Sequence, residues 1–141
     1  MEYNYKEKKI VAVVNDKLEV GVALNVLGHL AVSIGYNAEN HMGRSVLTDA
    51  SGIKHLGISK YPFIITKANA NKIRNAIEAA RQNINILFAD YPLQMLETGH
   101  DDELAESLSK AKEVDLLYLG AVFYGNTEDI NAITKKFSLY R

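Results

Sequence analysis

The 141-residue chain has no cysteine, no tryptophan and only two prolines, and its net charge is −1. Without cysteine there is no disulfide framework, no thiolate nucleophile and no zinc site built on cysteine ligands. The near-zero net charge predicts no general electrostatic attraction to nucleic acid or to an anionic membrane. A composition that is 48% apolar and 23% charged is typical of a soluble globular protein.

Targeting signals are also lacking. The first residues, MEYNYKEKK, are polar and have no apolar core of the kind found in signal peptides. No apolar run reaches the length expected of a bilayer span, so we expect a cytoplasmic protein with no membrane partner. The length predicts a single domain over residues 1–141, in which residues 1–8 form a polar leader.

Short β-branched runs alternate with helical patterns along the chain. This alternation predicts an α/β fold, a three-layer α/β/α sandwich around a mostly parallel four-stranded sheet. A hairpin with its turn at Asp49 to Gly52 is expected before the second core strand. The core strands are predicted at residues 9–14, 62–66, 84–89 and 116–123.

The first predicted helix, over residues 20–34, overlaps the stretch GVALNVLGHLAVSIG at residues 21–35. Glycine recurs at every seventh position in it, and we expect this stripe to pack tightly against the sheet, with a ligand role as the alternative. Asn25 and His29 lie one turn apart in the same apolar helix. They are either a buried hydrogen-bonded pair or part of a site.

Polar residues follow several of the predicted strands, and ligands of open α/β sheets bind beyond the carboxyl ends of the strands. We therefore predict a pocket for a small molecule at this rim, in which Asp90 orients His29 as a general base. Asp90 as a loop-capping aspartate is the alternative. The candidate catalytic residues are His29 and Asp90, and the candidate ligand-binding residues are Asn15, Asn25, Tyr124 and Gly125. The histidines are scattered, so no metal and no cofactor is expected.

Three segments carry a resemblance to a known family. VVNDKLEVGVALNVLGHLAVS, YPFIITKANANKIRNAIEAARQNINILFAD and LGAVFYGNTEDINAITKKFSLYR follow the order and spacing of type 2 peptidyl-tRNA hydrolases. This likeness covers about 80 residues. It implies a mixed sheet in which one strand runs against the others.

A closer resemblance, nearly end to end, is to the uncharacterised family called domain of unknown function two thousand on the same fold. It is carried by the GHLA helix, by the LGAVFYG strand, and by DASGIKHLGISKYPF, which overlaps an additional segment at residues 41–60. That resemblance implies the type 2 peptidyl-tRNA hydrolase-like fold. It implies no particular activity.

Departures from the hydrolases concern their catalytic positions. Val22 stands where the resemblance implies a catalytic lysine, and Val26 where it implies a glutamine. Pro92 and Gln94 replace the glycine and threonine that follow the aspartate in the hydrolases. Residues 93–113 form an insertion that we expect to add a helix, as a lid or a dimer surface.

Three classes of function follow from these patterns. The first is binding of a small molecule, or an unassigned hydrolase-like reaction, at the rim pocket. The second is RNA binding or peptidyl-tRNA hydrolysis, indicated by six basic residues against one acid over residues 54–81. Solvated helix faces are the favoured explanation of that stretch. The third is a non-catalytic homodimeric accessory protein.

Overall fold

The run KKIVAVVN forms the central strand β1 (Lys8–Asn15), which is buried from Ile10 onward. The computed structural model describes residues 1–141, with helices on both faces of a five-stranded sheet and a separate hairpin. The elements after β1 are α1 (Val20–Asn37), β2 (Val46–Thr48), β3 (Lys54–Leu56), β4 (Phe63–Ala68), α2 (Ala70–Arg81), β5 (Leu87–Pro92), α3 (Gln94–Glu97), α4 (Asp101–Ser109), a 3₁₀ turn (Glu113–Asp115), β6 (Tyr118–Asn126), α5 (Thr127–Thr134) and β7 (Ser138–Leu139).

The strands lie in the order β5-β6-β1-β4-β7. Only β1 and β4 pair in parallel, and the other three pairings are antiparallel. The prediction of a mostly parallel, four-stranded sheet is therefore wrong on both counts. The strands β1, β4 and β5 do share one direction, but the chain after β5 stays at the carboxyl edge of the sheet through α3 and α4. It re-enters from that edge, so β6 runs in the opposite direction between β5 and β1.

Two apolar cores fill the spaces on either side of the sheet. Alternate residues of β1 point to opposite faces, as a pleated strand requires. Ile10, Ala12 and Val14 pack on the α1 side, whereas Val11 and Val13 pack on the side of α2 and α5. The expected covering of both sheet faces by helices is confirmed.

The close approach between helix and sheet is made by a glycine of the strand. A Cβ added to Gly120 in β6 would lie 2.9 Å from Val26 Cγ1 and 3.2 Å from Leu30 Cδ1. The three glycines of α1 have the opposite environment: Gly21, Gly28 and Gly35 are exposed, and no heavy atom lies within 4 Å of their added Cβ. The prediction that the helix glycines pack against the sheet is wrong, because the larger apolar side chains of α1 occupy its inner side.

By length and composition α1 is sufficient to cross a membrane, contrary to the expectation that no apolar run reaches that length. Its inner residues Ala23, Val26, Leu30 and Ile34 are nevertheless buried in the core of the domain. The helix is therefore a layer of this fold. The cytoplasmic location stays a prediction.

The hairpin expected before the second core strand is confirmed as β2 and β3. Asp49 fixes its turn, because Oδ1 accepts hydrogen bonds from the backbone N–H groups of Ser51 and Ile53. The helix expected within residues 93–113 is also present, as α3 and α4.

Candidate functional site

A crevice opens where β1 and β4, two adjacent parallel strands, lead into helices on opposite faces of the sheet. The chain leaves β1 toward α1 on one face and leaves β4 toward α2 on the other. Such a divergence separates the two connecting loops and is where open α/β sheets bind their ligands. The volume of the crevice is about 480 Å³. Its lining residues are Asn15, Lys17, Leu18, Asn69, Ala70, Asn71, Leu117 and Leu119.

Two asparagines fix the backbone on the two sides of the crevice. Asn15 is only 8% exposed, and its Oδ1 accepts a hydrogen bond of 3.0 Å from the backbone N–H of Lys17. Asn69 caps α2, because its Oδ1 accepts from the backbone N–H of Lys72 at 2.9 Å. Asparagine is common at both positions, because its short side chain accepts a hydrogen bond from the backbone N–H two or three residues ahead.

The lining of the crevice carries one cation, Lys17, and no anion. Lys17 makes no ion pair in the protein, and no aspartate or glutamate belongs to the lining. The first-turn N–H groups of a helix lack partners within that helix and carry a partial positive charge. The first turn of α2, at Ala70 and Asn71, supplies such groups. This arrangement favours a ligand that is anionic or rich in acceptors.

Of the six residues predicted as a site, only Asn15 lies in this crevice. Tyr124 and Gly125 lie at the opposite edge of the sheet, where Gly125 pairs with Lys9 and Tyr124 pairs with Leu87. The prediction that their end of the strand joins the rim is wrong, because β6 runs antiparallel and its carboxyl end therefore meets the amino ends of β1 and β5.

Tyr124 and Gly125 line a separate cleft of about 400 Å³ at that edge. The hydroxyl of Tyr124 donates a hydrogen bond of 3.3 Å to the backbone carbonyl of Glu39, and burial raises the pKa of this phenol. The Nζ of Lys8 lies 5.5 Å from the centre of the same ring. These contacts hold the tyrosine in place within the domain.

His29 and Asp90 lie on opposite sides of the sheet. His29 is exposed on α1, and its ring centre is 6.1 Å from that of Tyr91. Asp90, the preceding residue of β5, faces α2, where its Oδ2 lies 4.0 Å from Arg81 Nη2. The prediction that His29 approaches Asp90 is wrong, and the two residues do not share a pocket. An individual catalytic role for either residue stays a prediction.

Asn25 is exposed on the outer side of α1, as is His29 one turn later. Neither side chain forms a hydrogen bond within the protein. The interpretation of the two as a buried hydrogen-bonded pair is wrong. Their helix faces the sheet with its aliphatic side chains and turns both polar groups outward.

Asp90 belongs to a charged cluster beneath α2. Burial raises the pKa of its carboxyl, against the opposing effect of the nearby Arg81 guanidinium. Arg81 donates a hydrogen bond of 3.0 Å to the hydroxyl of Tyr118, and that hydroxyl donates one of 2.6 Å to Glu113 Oε2. Arg74 Nη1 lies 2.8 Å from the same carboxylate oxygen. The cluster ties α2 to the 3₁₀ turn and to the start of β6.

The basic stretch over residues 54–81 does not act as one free cationic surface. Arg74 and Arg81 are both paired with Glu113. Lys60 donates to Asn40 Oδ1 and lies above the rings of Tyr3 and Tyr61. The structure also contains no group of three His, Asp or Glu side chains that could hold a metal ion.

The residues missed by the sequence analysis are Lys17, Asn69 and Asn71. Each follows a correctly placed core strand, in the stretches VVNDK and ITKANAN. A signal was therefore present: two buried parallel strands both end in asparagine-containing turns. What the sequence did not show is that these two strands are direct neighbours.

Comparison with known proteins supports the fold and leaves the activity open. No curated protein matches this chain. A solved structure, that of a protein of unknown function from Agrobacterium tumefaciens strain C58, superposes with a TM-score of 0.85 and 21% sequence identity, covering 96% of this chain and 98% of that one. The family model described as "Protein of unknown function (DUF2000)" matches residues 8–141. The protein therefore belongs to the DUF2000 family.

Proposed function

We propose that the protein binds a small anionic molecule in the crevice between the carboxyl ends of β1 and β4. The observation that carries this proposal is the crevice itself: about 480 Å³ at the point where the two connections diverge. Clefts that bind small molecules have volumes of about 300 to 1,000 Å³, combine apolar walls with a few polar groups, and occur at this position of α/β sheets.

The polar groups on the two sides of the crevice are complementary to an anion. Lys17 supplies an unpaired ammonium group from the β1 side, and the first turn of α2 supplies backbone N–H groups from the β4 side. A phosphate or carboxylate between them gains from both the charge and the directed hydrogen bonds. Leu18, Leu117 and Leu119 provide apolar wall for the remainder of the ligand.

Binding is favoured over hydrolysis at this site. The crevice lining contains no histidine, no carboxylate and no serine or threonine, so it supplies no hydroxyl nucleophile and Lys17 is its one titratable side chain. The type 2 peptidyl-tRNA hydrolase-like fold remains part of the proposal. It is supported by the reversed direction of β6 among the four core strands, as the resemblance implies.

The test is a titration of ¹⁵N-labelled protein with inorganic phosphate and with citrate at constant ionic strength. Saturable shifts of the backbone amide signals of Lys17, Ala70 and Asn71 are expected. The variant Lys17→Met should weaken binding by about tenfold, the loss expected for one charge-assisted hydrogen bond. Lys54→Met, at an exposed lysine of β3, is the matched control and should leave the affinity unchanged.

Two results would count against the proposal. One is a set of shifts centred on the cleft around Tyr124 instead of the crevice. The other is an affinity for both anions that Lys17→Met and Lys54→Met reduce equally, because equal loss indicates general charge attraction and no defined site.

A further inference from the structure

The outer face of α1 exposes large apolar side chains, interrupted by the polar Asn25 and His29, and has no partner within the protein. Val20, Leu24, Val32 and Tyr36 are 61%, 57%, 74% and 88% exposed. The helix contains no Asp, Glu, Lys or Arg over its 18 residues. Soluble helices ordinarily carry charged residues on the side that faces water, and a helix that is apolar all round is ordinarily covered all round. The outer face of α1 therefore has the character of a contact surface.

A glycine, Gly28, lies at the centre of this face. Gly28 lies in the middle of the helix, where glycine weakens helical structure, and nothing within the monomer requires the absence of a side chain there. Gly21 and Gly35 lie two turns before and after it on the same stripe. Small residues at this spacing allow a second helix backbone to approach closely along the whole stripe.

The face is also symmetric about Gly28. If a second α1 lies antiparallel across the first with Gly28 opposite Gly28, equivalent apolar positions coincide. Gly21 then faces Gly35, Leu24 faces Val32, and Val20 faces Tyr36. A surface that matches itself after reversal is what a twofold dimer needs. We infer that two copies of the chain pair antiparallel through the outer faces of α1, about a twofold axis at Gly28.

The area available is sufficient for a specific, weak dimer. A helix of this length is about 27 Å long and 10 to 12 Å wide, so its outward half presents roughly 500 Å². Complete mutual covering of the two faces would bury about 1,000 Å² in total, the lower limit for a specific interface. A small, entirely apolar groove of about 130 Å³ continues this surface beside Leu24, lined also by Ile65 and Tyr140.

A second copy fits this surface better than a lipid bilayer does. Helices that lie in a membrane interface carry lysine and arginine beside their apolar face and large side chains at its centre. The outer face of α1 has no cation, and its central stripe consists of glycine, Asn25 and Val32. Such a stripe buries little area in lipid but permits close contact with another helix.

Sedimentation velocity over about 5 to 500 µM tests the inference, because interfaces at the lower end of the size range are ordinarily weak and transient. A species of twice the 15.7 kDa monomer mass is expected at the upper concentrations. Gly28→Leu should abolish it, since the new side chain would fill the space of the partner helix. The matched control is Gly99→Leu, at an exposed glycine that also has no atom within 4 Å of an added Cβ. Circular dichroism establishes that both variants fold.

The orientation is tested by crosslinking, since the native chain has no cysteine. Gly21→Cys and Gly35→Cys proteins, distinguished by a mass tag, are mixed and oxidised. The antiparallel dimer predicts disulfides between the two different variants, whereas a parallel pair predicts disulfides within each.

Three results would overturn the inference. The first is a wild-type protein that stays monomeric at about 500 µM. The second is a dimer that survives both Gly28→Leu and Val32→Glu, since that dimer would use another surface, such as the free edge of β5. The third is monomeric protein that sediments with vesicles of phosphatidylcholine and phosphatidylserine, which would assign the face to a membrane.

Discussion

Asp90 and Tyr91 are consecutive residues of β5 whose side chains point to opposite faces of the sheet. The Tyr91 ring lies 6.1 Å from the ring of His29 on the α1 side. The Asp90 carboxylate lies 4.0 Å from Arg81 on the α2 side. This alternation separates Asp90 from His29 and gives each a different environment. Because the Asp90 carboxyl is half-buried, its ionisation changes the stability of the folded protein.

Replacing Asp90 with asparagine should stabilise the protein at neutral pH. Burial raises the pKa of this carboxyl above its ordinary value of 3.8, so the folded protein binds the proton more tightly than the unfolded chain does. Ionisation of Asp90 therefore destabilises the fold at neutral pH. This penalty disappears as the pH falls below 3.8, where the group is protonated in both states. Urea unfolding at about pH 3, 5 and 7 should show that the free energy of unfolding of Asp90→Asn exceeds that of the unmodified protein by an amount that grows with pH.

The control for this series is Glu2→Gln, at an exposed residue of the polar leader. Its stability should follow that of the unmodified protein at each pH. If Asp90→Asn is less stable than the unmodified protein at pH 7, the attraction of the carboxylate to Arg81 outweighs the effect of burial.

Tyr118→Phe should lower the free energy of unfolding by about 1 to 2 kcal/mol. The hydroxyl is the only atom lost, and in the folded protein it donates to Glu113 and accepts from Arg81. Its removal leaves two charged groups without one of their partners. Tyr5→Phe is the control, because Tyr5 is 55% exposed and its hydroxyl makes no hydrogen bond. Equal stabilities of the two variants in urea would contradict a stabilising role for this cluster.

The same glycine-to-alanine change should have opposite effects at Gly120 and Gly28. At Gly120 the new methyl group would lie 2.8 Å from the carbonyl oxygen of Val13, so we expect a loss of about 1 to 3 kcal/mol from overpacking. At Gly28 the methyl group meets nothing, and the folded monomer should gain about 1 kcal/mol from the better helix former. Unfolding is measured at low protein concentration, so that association does not contribute. A loss at Gly28 would reveal a contact that α1 makes within the monomer.

The protein should not hydrolyse peptidyl-tRNA appreciably. Val22 occupies the position where the resemblance to type 2 peptidyl-tRNA hydrolases implies a catalytic lysine. Loss of one such transition-state contact costs about 3 kcal/mol, or roughly a hundredfold in rate. The assay compares the unmodified protein with Val22→Lys, at a half-buried position on the first turn of α1. Val26 is best left unchanged, because it is fully buried and a glutamine there would place an amide in the core.

Rapid turnover by the unmodified protein would contradict this prediction. Activity gained only by Val22→Lys would instead support a common architecture with the hydrolases and identify the missing charge as the reason for the lost activity.

Local pattern was sufficient for most elements of this fold, but β7 was not predicted, and β5, predicted at residues 84–89, lies at Leu87–Pro92. Continuous β-branched runs gave β1 and β4 within one or two residues of their bounds, and helical spacing gave α1 and α2. Asp49 gave the hairpin turn, since an aspartate side chain bonds to the backbone that follows it. The position of Asn15 at the end of a buried strand also followed from the sequence, and it proved to line the crevice.

Only the tertiary structure decided how these elements face one another. The direction of β6 depends on where the chain returns to the sheet after residues 93–113. Because β6 is antiparallel to β1, Tyr124 and Gly125 lie at the edge opposite Asn15. The sequence shows that Asp90 and Tyr91 alternate, but it does not show which of them faces α1. The stripe of glycines in α1 was visible from the first, yet its exposure to solvent depends on which side of the helix the sheet selects. Strand order, direction and face arise from contacts between distant segments, which short-range periodicity does not encode.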